Sequence, residues 1–334
     1  MIKVTLLALD HVLASSVMGT MDILGQTGAT WNCIAGQEEV SYFDISIATQ
    51  DGKPVRTKHQ TALYPKGSIR DIDSTDLIVV SSFSDFRTLE TSGQAIEWLK
   101  EQYRQGTTLA GVCAGTYILA ETGLLNGKTA TTHWGFAQDF KQRYPKIHLK
   151  PEKIIVDEGN LLCSGGCNSY IDLSIYLVER YCGRHIALET SKAVLHDIGR
   201  NSQKPYCAFP FAKDHADSKI KSIQQWFEKN YNRRVDLREL SEKFGLSRRV
   251  FERRFKKATG ITPLVYLQRS RVEIAKTLLE QTSKTFNEIA YMAGYEDTRF
   301  FRKIFKKHTH LLPKEYRKKF CRDSHAKERA PSFL

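Results

Sequence analysis

The sequence predicts two domains of different class. The first is an α/β domain with a mostly parallel sheet covered by helices on both faces, and the second is an all-α domain with two helix-turn-helix motifs. Three observations carry this. Up to about residue 198, short apolar runs alternate with stretches of helical periodicity, the pattern of a buried parallel sheet. From Lys219 onward the periodicity is helical throughout. Within that second stretch a glycine-broken pair of short helices occurs twice, about 50 residues apart.

Taken in order, residues 2–9 form an apolar run that predicts a buried strand, and residues 17–29 suit a helix with Met18, Met21 and Leu24 inward. Residues 45–49, the turn Asp51-Gly52 and residues 55–58 predict a hairpin. Residues 77–80 and 108–112 read as further buried strands, with a helix over 94–103 between them. Residues 129–132, 154–156 and 161–163 read as shorter strands, and 170–181 and 186–198 as closing helices.

The informative point in this half is Ala110-Gly111-Val112-Cys113-Ala114-Gly115, between a strand and a helix over 117–121. Small residues on both sides of a Cys at a strand-to-helix turn are what a nucleophile elbow needs, because the backbone bends sharply there. A neighbouring helix N-terminus favours the thiolate. His133, in ATTHW after a later strand, is placed to approach Cys113. The rival reading is a buried, unreactive cysteine in a well-packed turn.

Residues 199–217 carry two prolines and no helical period, so a linker is expected there, between a domain at 1–198 and another at 218–320. The second domain starts with a helix over 219–230 that turns Ile220, Ile223, Trp226 and Phe227 inward. In DLRELSEKFGLSRRVFERRF, Asp236 and Ser247 are placed as N-caps, Leu237, Leu240 and Phe244 form a buried stripe, and Gly245 allows the turn. Phe251 and Phe255 face inward, leaving Arg248, Arg249, Glu252, Arg253 and Lys256 outside. A single amphipathic pair of this kind is as easily a core hairpin. The second copy decides otherwise: in TFNEIAYMAGYEDTRFFRKIF, Phe286, Ile289, Ala290, Gly294, Phe301 and Phe305 repeat Leu237, Leu240, Ser241, Gly245, Phe251 and Phe255. Between the copies, Thr262-Pro263 starts a long connecting helix with Leu264, Leu267, Ile274, Leu278 and Leu279 as its stripe. A charged tail over 321–334 is expected to be disordered.

Charge is divided unevenly. The formal net charge is +13, yet residues 217–334 hold 29 Lys and Arg against 14 Asp and Glu, leaving the rest of the chain at −2. The basic partner therefore belongs to the C-terminal third. No segment reaches the roughly 20 apolar residues that span a bilayer, so no membrane partner is expected. The N-terminal run is too short for a signal peptide, and a cytoplasmic protein is expected. Seven scattered cysteines fit reduced thiols better than a disulfide framework, and Cys163 and Cys167 lack a second pair at zinc spacing. No metal and no cofactor are expected.

On these residues two resemblances can be named. GVCAGTYILAETGLLNGKTATTHW and the later GNLLCSGGCNSYIDLSIYLVE resemble the PfpI/ThiJ group of the class I glutamine amidotransferase-like fold, which implies a flavodoxin-like sheet. In enzymes of that group an acid on the first helix supports the Cys, a position that aligns here with Ser16, and the His that follows the Cys in related proteases is Ala114. Both departures argue against hydrolase or deglycase chemistry through Cys113, which stays the rival reading. ATGITPLVYLQRSRVEIAKTLLE, NEIAYMAGYEDTRFFRKIFKK and LLPKEYRKK are similar to the AraC/XylS family of transcription regulators, in that family's order.

The resemblance implies a sequence-specific transcription regulator and no enzyme, binding double-stranded operator DNA through Arg248, Arg249, Glu252, Arg253 and Lys256 in one reader and Thr298, Arg299, Arg302, Lys303 and Lys306 in the other. Of the basic residues on these helices, Arg254, Lys256, Lys306 and Lys307 are expected at phosphates or in solvent, and Arg249, Glu252, Arg253, Thr298, Arg299 and Lys303 at base edges. It also implies an N-terminal domain that senses a small molecule, an amino acid or amine derivative, around Cys113, His133 and Ser16, or that mediates dimerisation. A homodimer and RNA polymerase are the protein partners expected.

Overall fold

The computed structural model describes residues 1–209, 211 and 215–321. They divide into two compact units, one ending at Gln203 and the other beginning at Lys204. The sequence places a linker over 199–217; its first residues belong to the first unit and its described remainder to the second. The charged tail, residue 321 aside, lies outside the described residues.

The first unit opens with β1 (Ile2–Leu7), α1 (Ala14–Gly25), α2 (Thr30–Ile34) and β2 (Phe43–Thr49). A small hairpin of β3 (Val55–Arg56) and β4 (Ala62–Leu63) precedes β5 (Gly67–Ser68) and β6 (Leu77–Val80). Then come α3 (Thr88–Thr91), α4 (Gly93–Arg104), β7 (Thr108–Val112), α5 (Gly115–Glu121), β8 (Thr129–Ala130), α6 (Ala137–Arg143) and β9 (His148–Leu149). The unit closes with β10 (Ile155–Asp157), β11 (Leu161–Ser164), α7 (Ser169–Cys182) and α8 (Arg184–Ala193). Its main sheet runs β10-β11-β7-β6-β1-β2-β5, parallel except for β10.

Both faces of this sheet are buried, as the apolar runs require. β6 sends Leu77 and Val79 into the core on one side and Ile78 and Val80 into the core on the other. The chain runs from β1 outward to β2 and β5, then returns to add β6, β7 and β11 on the opposite side. Open α/β sheets bind ligands beyond the strand ends at such a reversal, which here falls between β1 and β6.

Four local expectations need correction. Helix α1 starts at Ala14 and buries Ser16, Val17, Thr20, Ile23 and Leu24, while Met18 faces solvent. The expected hairpin does not pair residues 45–49 with 55–58: β2 lies parallel between β1 and β5, and β3 turns back on β4 instead. Asp51-Gly52 thus redirects the chain out of the sheet. Helix α8 ends at Ala193, and Leu195 beyond it stands 94% exposed with φ 52°. β8 pairs with β9 outside the main sheet.

The second unit comprises α9 (Ser218–Asn230), α10 (Leu237–Lys243), α11 (Arg248–Thr259), α12 (Pro263–Gln281), α13 (Phe286–Met292), α14 (Thr298–Thr309) and α15 (Pro313–Phe320). It holds two cores. Ile220, Ile223, Phe227, Phe251, Phe255 and Tyr266 belong to the first; Leu279, Ile289, Phe301, Phe305 and Tyr316 belong to the second. Helix α12 contributes to both and is the rod between them. Its stripe differs from the one counted from Leu264, which is 51% exposed; Tyr266, Leu267, Val272, Ala275 and Leu279 are the residues it contributes to the two cores. Tyr266 anchors this register because its hydroxyl is hydrogen-bonded to the buried Gln224 amide at 3.3 Å.

Candidate nucleic-acid interface and effector crevice

The two readers repeat at the level of single hydrogen bonds. Asp236 caps α10 by accepting from Arg238 N and Glu239 N, and Thr285 caps α13 in a reciprocal box with Glu288. After each helix a glycine adopts the left-handed conformation, Gly245 at φ 64° and Gly294 at φ 83°. The next residue then bonds back across the turn: Leu246 N to Ser241 O, and Tyr295 N to Ala290 O, both 2.9 Å. Ser247 caps α11 and Asp297 caps α14. Phe251 and Phe255 in one copy, and Phe301 and Phe305 in the other, are fully buried.

Burying those phenylalanines sets the opposite faces outward. Arg249, Arg253 and Lys256 of α11 are exposed, as are Arg299, Arg302, Lys303 and Lys306 of α14, with Thr298 half-buried. Arg248 and Glu252 are ion-paired at 2.7 Å across one helical turn. The Arg302 guanidinium sits 5.5 Å from the Phe286 ring centre. Arg254 departs from its expected place at phosphates or in solvent: its fork closes on Asp217 with bonds of 2.8 and 2.9 Å. Asp217 also caps α9, and the Arg254 guanidinium holds its carboxyl below the usual range. The sequence reading also missed Phe300, an aromatic beside Arg299 that is 49% exposed.

A second tie links the readers. From α12, Arg271 donates to Tyr231 O at 2.8 Å and Arg233 O at 2.7 Å, and its guanidinium lies 4.7 Å from the Tyr295 ring centre. Arg271 is buried, and these partners are what makes that burial tolerable.

In the first unit, Cys113 sits at the end of β7 with φ 54°, a left-handed conformation rare outside glycine, and is 1% exposed. This is the strained elbow that the flanking small residues foretell. A Cβ on Gly111 would lie 2.9 Å from the Thr116 backbone, and one on Gly115 would lie 2.2 Å from Val80 O. The backbone is further pinned by Cys113 N donating to Ser164 O at 2.8 Å and Thr132 Oγ1 donating to Cys113 O at 2.8 Å.

Around the elbow the chemistry differs from that of an activated nucleophile. Cys167, exposed in the loop after β11, is hydrogen-bonded to Cys113. That bond and burial push the Cys113 thiol well up, whereas the same bond and the positive Lys58 pull Cys167 down. Burial therefore favours the proton on the inner sulfur.

Ser16 is fully buried, its hydroxyl donating to Leu13 O at 2.8 Å and accepting from Ser82 N at 3.1 Å. It ties the start of α1 to the end of β6. The Ser81 and Ser82 hydroxyls at that strand end are buried, and neither has a hydrogen-bond partner of good geometry. His133 is half-buried, stacked on Trp134 at 5.3 Å, with Nδ1 accepting from Gly135 N at 3.0 Å. Burial holds its imidazole below its ordinary pKa. Its backbone neighbour Thr132, not its ring, makes the bond to Cys113. VVSSF at a strand end and CSGGC near the elbow are the sequence signals that mark Ser82 and Cys167 in retrospect.

A separate cleft of about 510 Å³ lies where β6 and β7 begin, lined by Thr75, Gln102, Thr107, Asn160 and Arg180 among others. It is at the opposite end of the strands from Cys113.

The elbow and its sheet match the DJ-1/PfpI family model over residues 3–180, more than half of the chain. The chain belongs to the DJ-1/PfpI family. A helix-turn-helix domain model matches residues 240–319 of this DJ-1/PfpI protein. Among curated relatives, the HTH-type transcriptional regulator GbdR of Pseudomonas aeruginosa is 26% identical over 287 residues, 86% of this chain and 77% of its own. The isonitrile hydratase of Pseudomonas putida is 27% identical over 183 residues, 53% of this chain and 79% of its own, so the family domain alone also occurs as an enzyme. Drosophila melanogaster DJ-1beta superposes with a TM-score of 0.50 at 18% identity, covering 59% of this chain and 98% of its own, which carries the fold. The chain is a DNA-binding transcriptional regulator of the AraC helix-turn-helix type with an N-terminal DJ-1/PfpI domain. No described helix is long and apolar enough to cross a membrane.

Proposed function

We propose that the regulator grips successive major grooves with α11 and α14, and that the DJ-1/PfpI domain adjusts this grip in response to a small metabolite. The observation that carries the first half is the duplication itself: two capped helix pairs with the same turn bond, each presenting a basic outer face. Recognition helices about 34 Å apart meet one face of B-DNA in consecutive turns. Arg249 and Arg253, and Arg299 and Lys303, are the base readers, because Arg and Lys suit guanine O6 and N7. Glu252 reads cytosine N4 when Arg248 turns to a phosphate, and Phe300 offers an apolar contact to a thymine methyl. Arg302, Lys256 and Lys306 meet the backbone.

Selection of random-sequence duplexes on the full chain tests this. It should enrich a site with two elements about one helical turn apart. Enrichment of no common sequence would refute it.

For the sensing half, the support is the sheet's reversal between β1 and β6, near whose strand ends Cys113, His133, Ser81 and Ser82 lie. Ser16 acts from behind by holding Ser82 rather than by touching the effector. Amino acids and amine derivatives are the class to screen by thermal shift of the full chain, where an effector at a hundredfold excess over Kd adds about 2.7 kcal/mol. A complete absence of hits in that class would sink this half. The regulator is expected to act in the cytoplasm as a homodimer with RNA polymerase as partner, and without turnover, since a raised Cys113 thiol makes a poor nucleophile.

A further inference from the structure

Residues 204–209 and Phe211 precede the first helix of the second unit and are packed onto that unit. The segment starts on the core of the second reader. Lys204–Tyr206 form a 3-10 turn with Pro205 buried, and Lys204 Nζ lies 2.8 Å from His310 Nε2, just past α14. Tyr206 sets its ring edge-on to Phe320 at 5.6 Å, and Lys319 Nζ stands 4.9 Å from the Tyr206 ring centre.

Its middle lies on the connecting rod. The Cys207 carbonyl accepts from Lys276 Nζ of α12 at 2.6 Å, and that lysine is 7% exposed. Its end lies on the core of the first reader. Phe209 and Phe211 pack edge-on to each other at 4.7 Å and both meet Tyr266, at 5.8 and 5.3 Å, while the Arg269 guanidinium lies 4.9 Å from the Phe209 ring centre.

One short segment therefore touches both cores and the helix between them. A lone helix joining two bodies leaves their relative bend and rotation soft. A strap fixed at both ends and in the middle, alongside the Arg271 tie, removes that freedom.

We propose that residues 204–209 with Phe211 are a clamp that sets the separation and rotational phase of the two recognition helices, and hence the spacer length between the two halves of the operator. The proposal rests on the two-reader function above. Adding one base pair shifts the halves by about 3.4 Å and a tenth of a turn, so a clamped pair of readers reads spacing sharply and a loosened pair does not.

The test uses the full chain and the duplex that the wild-type chain selects from random DNA. Fluorescence anisotropy measures binding to that duplex, to versions with one base pair added or removed between the halves, and to versions with either half scrambled. Wild type should lose roughly tenfold on each one-base-pair change, because its second contact can no longer form. Tyr206→Ala combined with Phe209→Ala should reduce that preference to about threefold or less, with half-scrambled duplexes bound as by wild type. Tyr206→Phe, which keeps the ring contact with Phe320, should keep the wild-type spacing profile. The inference is overturned by a double variant that retains the sharp profile, or by one that loses the same factor on every duplex, which marks mere destabilisation. Selection of a one-part site would overturn the inference together with the two-reader reading beneath it.

Discussion

The two turn glycines offer a controlled comparison inside one molecule. Gly245→Ala and Gly294→Ala place the same methyl group at equivalent points of the two repeats. Both residues have left-handed φ, 64° and 83°, which costs an L-residue about 1–2 kcal/mol. Around them the space differs. A Cβ on Gly245 would meet nothing nearer than Lys219 Nζ at 3.9 Å, the mobile end of a side chain. On Gly294 it would meet Tyr231 O at 2.8 Å, Asn232 C at 2.9 Å and Arg271 Nη2 at 3.0 Å. Two of those are backbone atoms held by the Arg271 tie, so they cannot swing away. Overpacking of that kind adds about 1–3 kcal/mol. Gly245→Ala should therefore destabilise its surroundings by about 1–2 kcal/mol and Gly294→Ala by about 2–5 kcal/mol. Hydrogen exchange read by mass spectrometry on peptides from α9 to α15 measures this without assuming that the two units unfold together. The excess exchange in Gly294→Ala should include residues 231–233 as well as the turn itself. Equal effects from the two substitutions would refute the argument that Gly294 is required by packing as well as by φ.

The remaining predictions concern contacts at single residues. Arg299→Ala should weaken binding to the selected operator by about 1–3 kcal/mol with little change on random DNA, whereas Lys306→Ala should lower the salt dependence by about one phosphate equivalent; equal losses of Arg299→Ala on both DNAs would make it a phosphate contact. Asp217, with its carboxyl depressed by Arg254, stabilises the fold above the ordinary Asp pKa of about 4 and ceases to do so as pH falls through the lowered value. The difference in thermal midpoint between wild type and Asp217→Asn should thus be full at neutral pH and vanish in stronger acid; a difference independent of pH would show the ion pair to be irrelevant. Iodoacetamide at neutral pH should alkylate Cys167 before Cys113 in peptide maps, and the reverse order would contradict the assignment of the proton to the inner sulfur. Glyoxal-type and amide substrates should turn over no faster with wild type than with Cys113→Ala, and an activity lost in that variant would restore the enzyme reading.

Much of this architecture was legible because it depends on period and on caps. Strands buried on both faces read as unbroken apolar runs, so β6 and β7 were placed to the residue. The helix starts at Asp236, Ser247 and Thr262 follow from side-chain oxygens at the first uncapped amides. What was not legible depends on partners far away in the chain. Nothing near Met18 tells that the inner face of α1 is the one with Ser16 and Thr20, because that choice is made by Ser82 and by the packing of α7. Nothing near Arg254 tells that Asp217 has taken it from the DNA-facing set. A proline-bearing stretch without period reads as a linker even when, as here, the rings of Tyr206, Phe209 and Phe211 and the Cys207 carbonyl are placed against helices.

The elbow shows how far a motif carries an argument. Sequence and structure agree on a sharp turn flanked by small residues, and the structure adds the positive φ at Cys113 and the lack of room for any side chain at Gly111 and Gly115. Geometry of this kind serves two ends. It presents a nucleophile, and it also creates a rigid corner at the ligand-binding edge of the sheet. Which end is served depends on the charge around the sulfur. Here a serine occupies the position aligned with the supporting acid and is committed to backbone, and a second thiol, itself held low, raises the first. A cysteine 1% exposed, with its thiol pushed up, keeps the corner whether or not it reacts. On the sensing role proposed above, that corner is where a small molecule would bear on the fold of a chain whose other unit reads DNA.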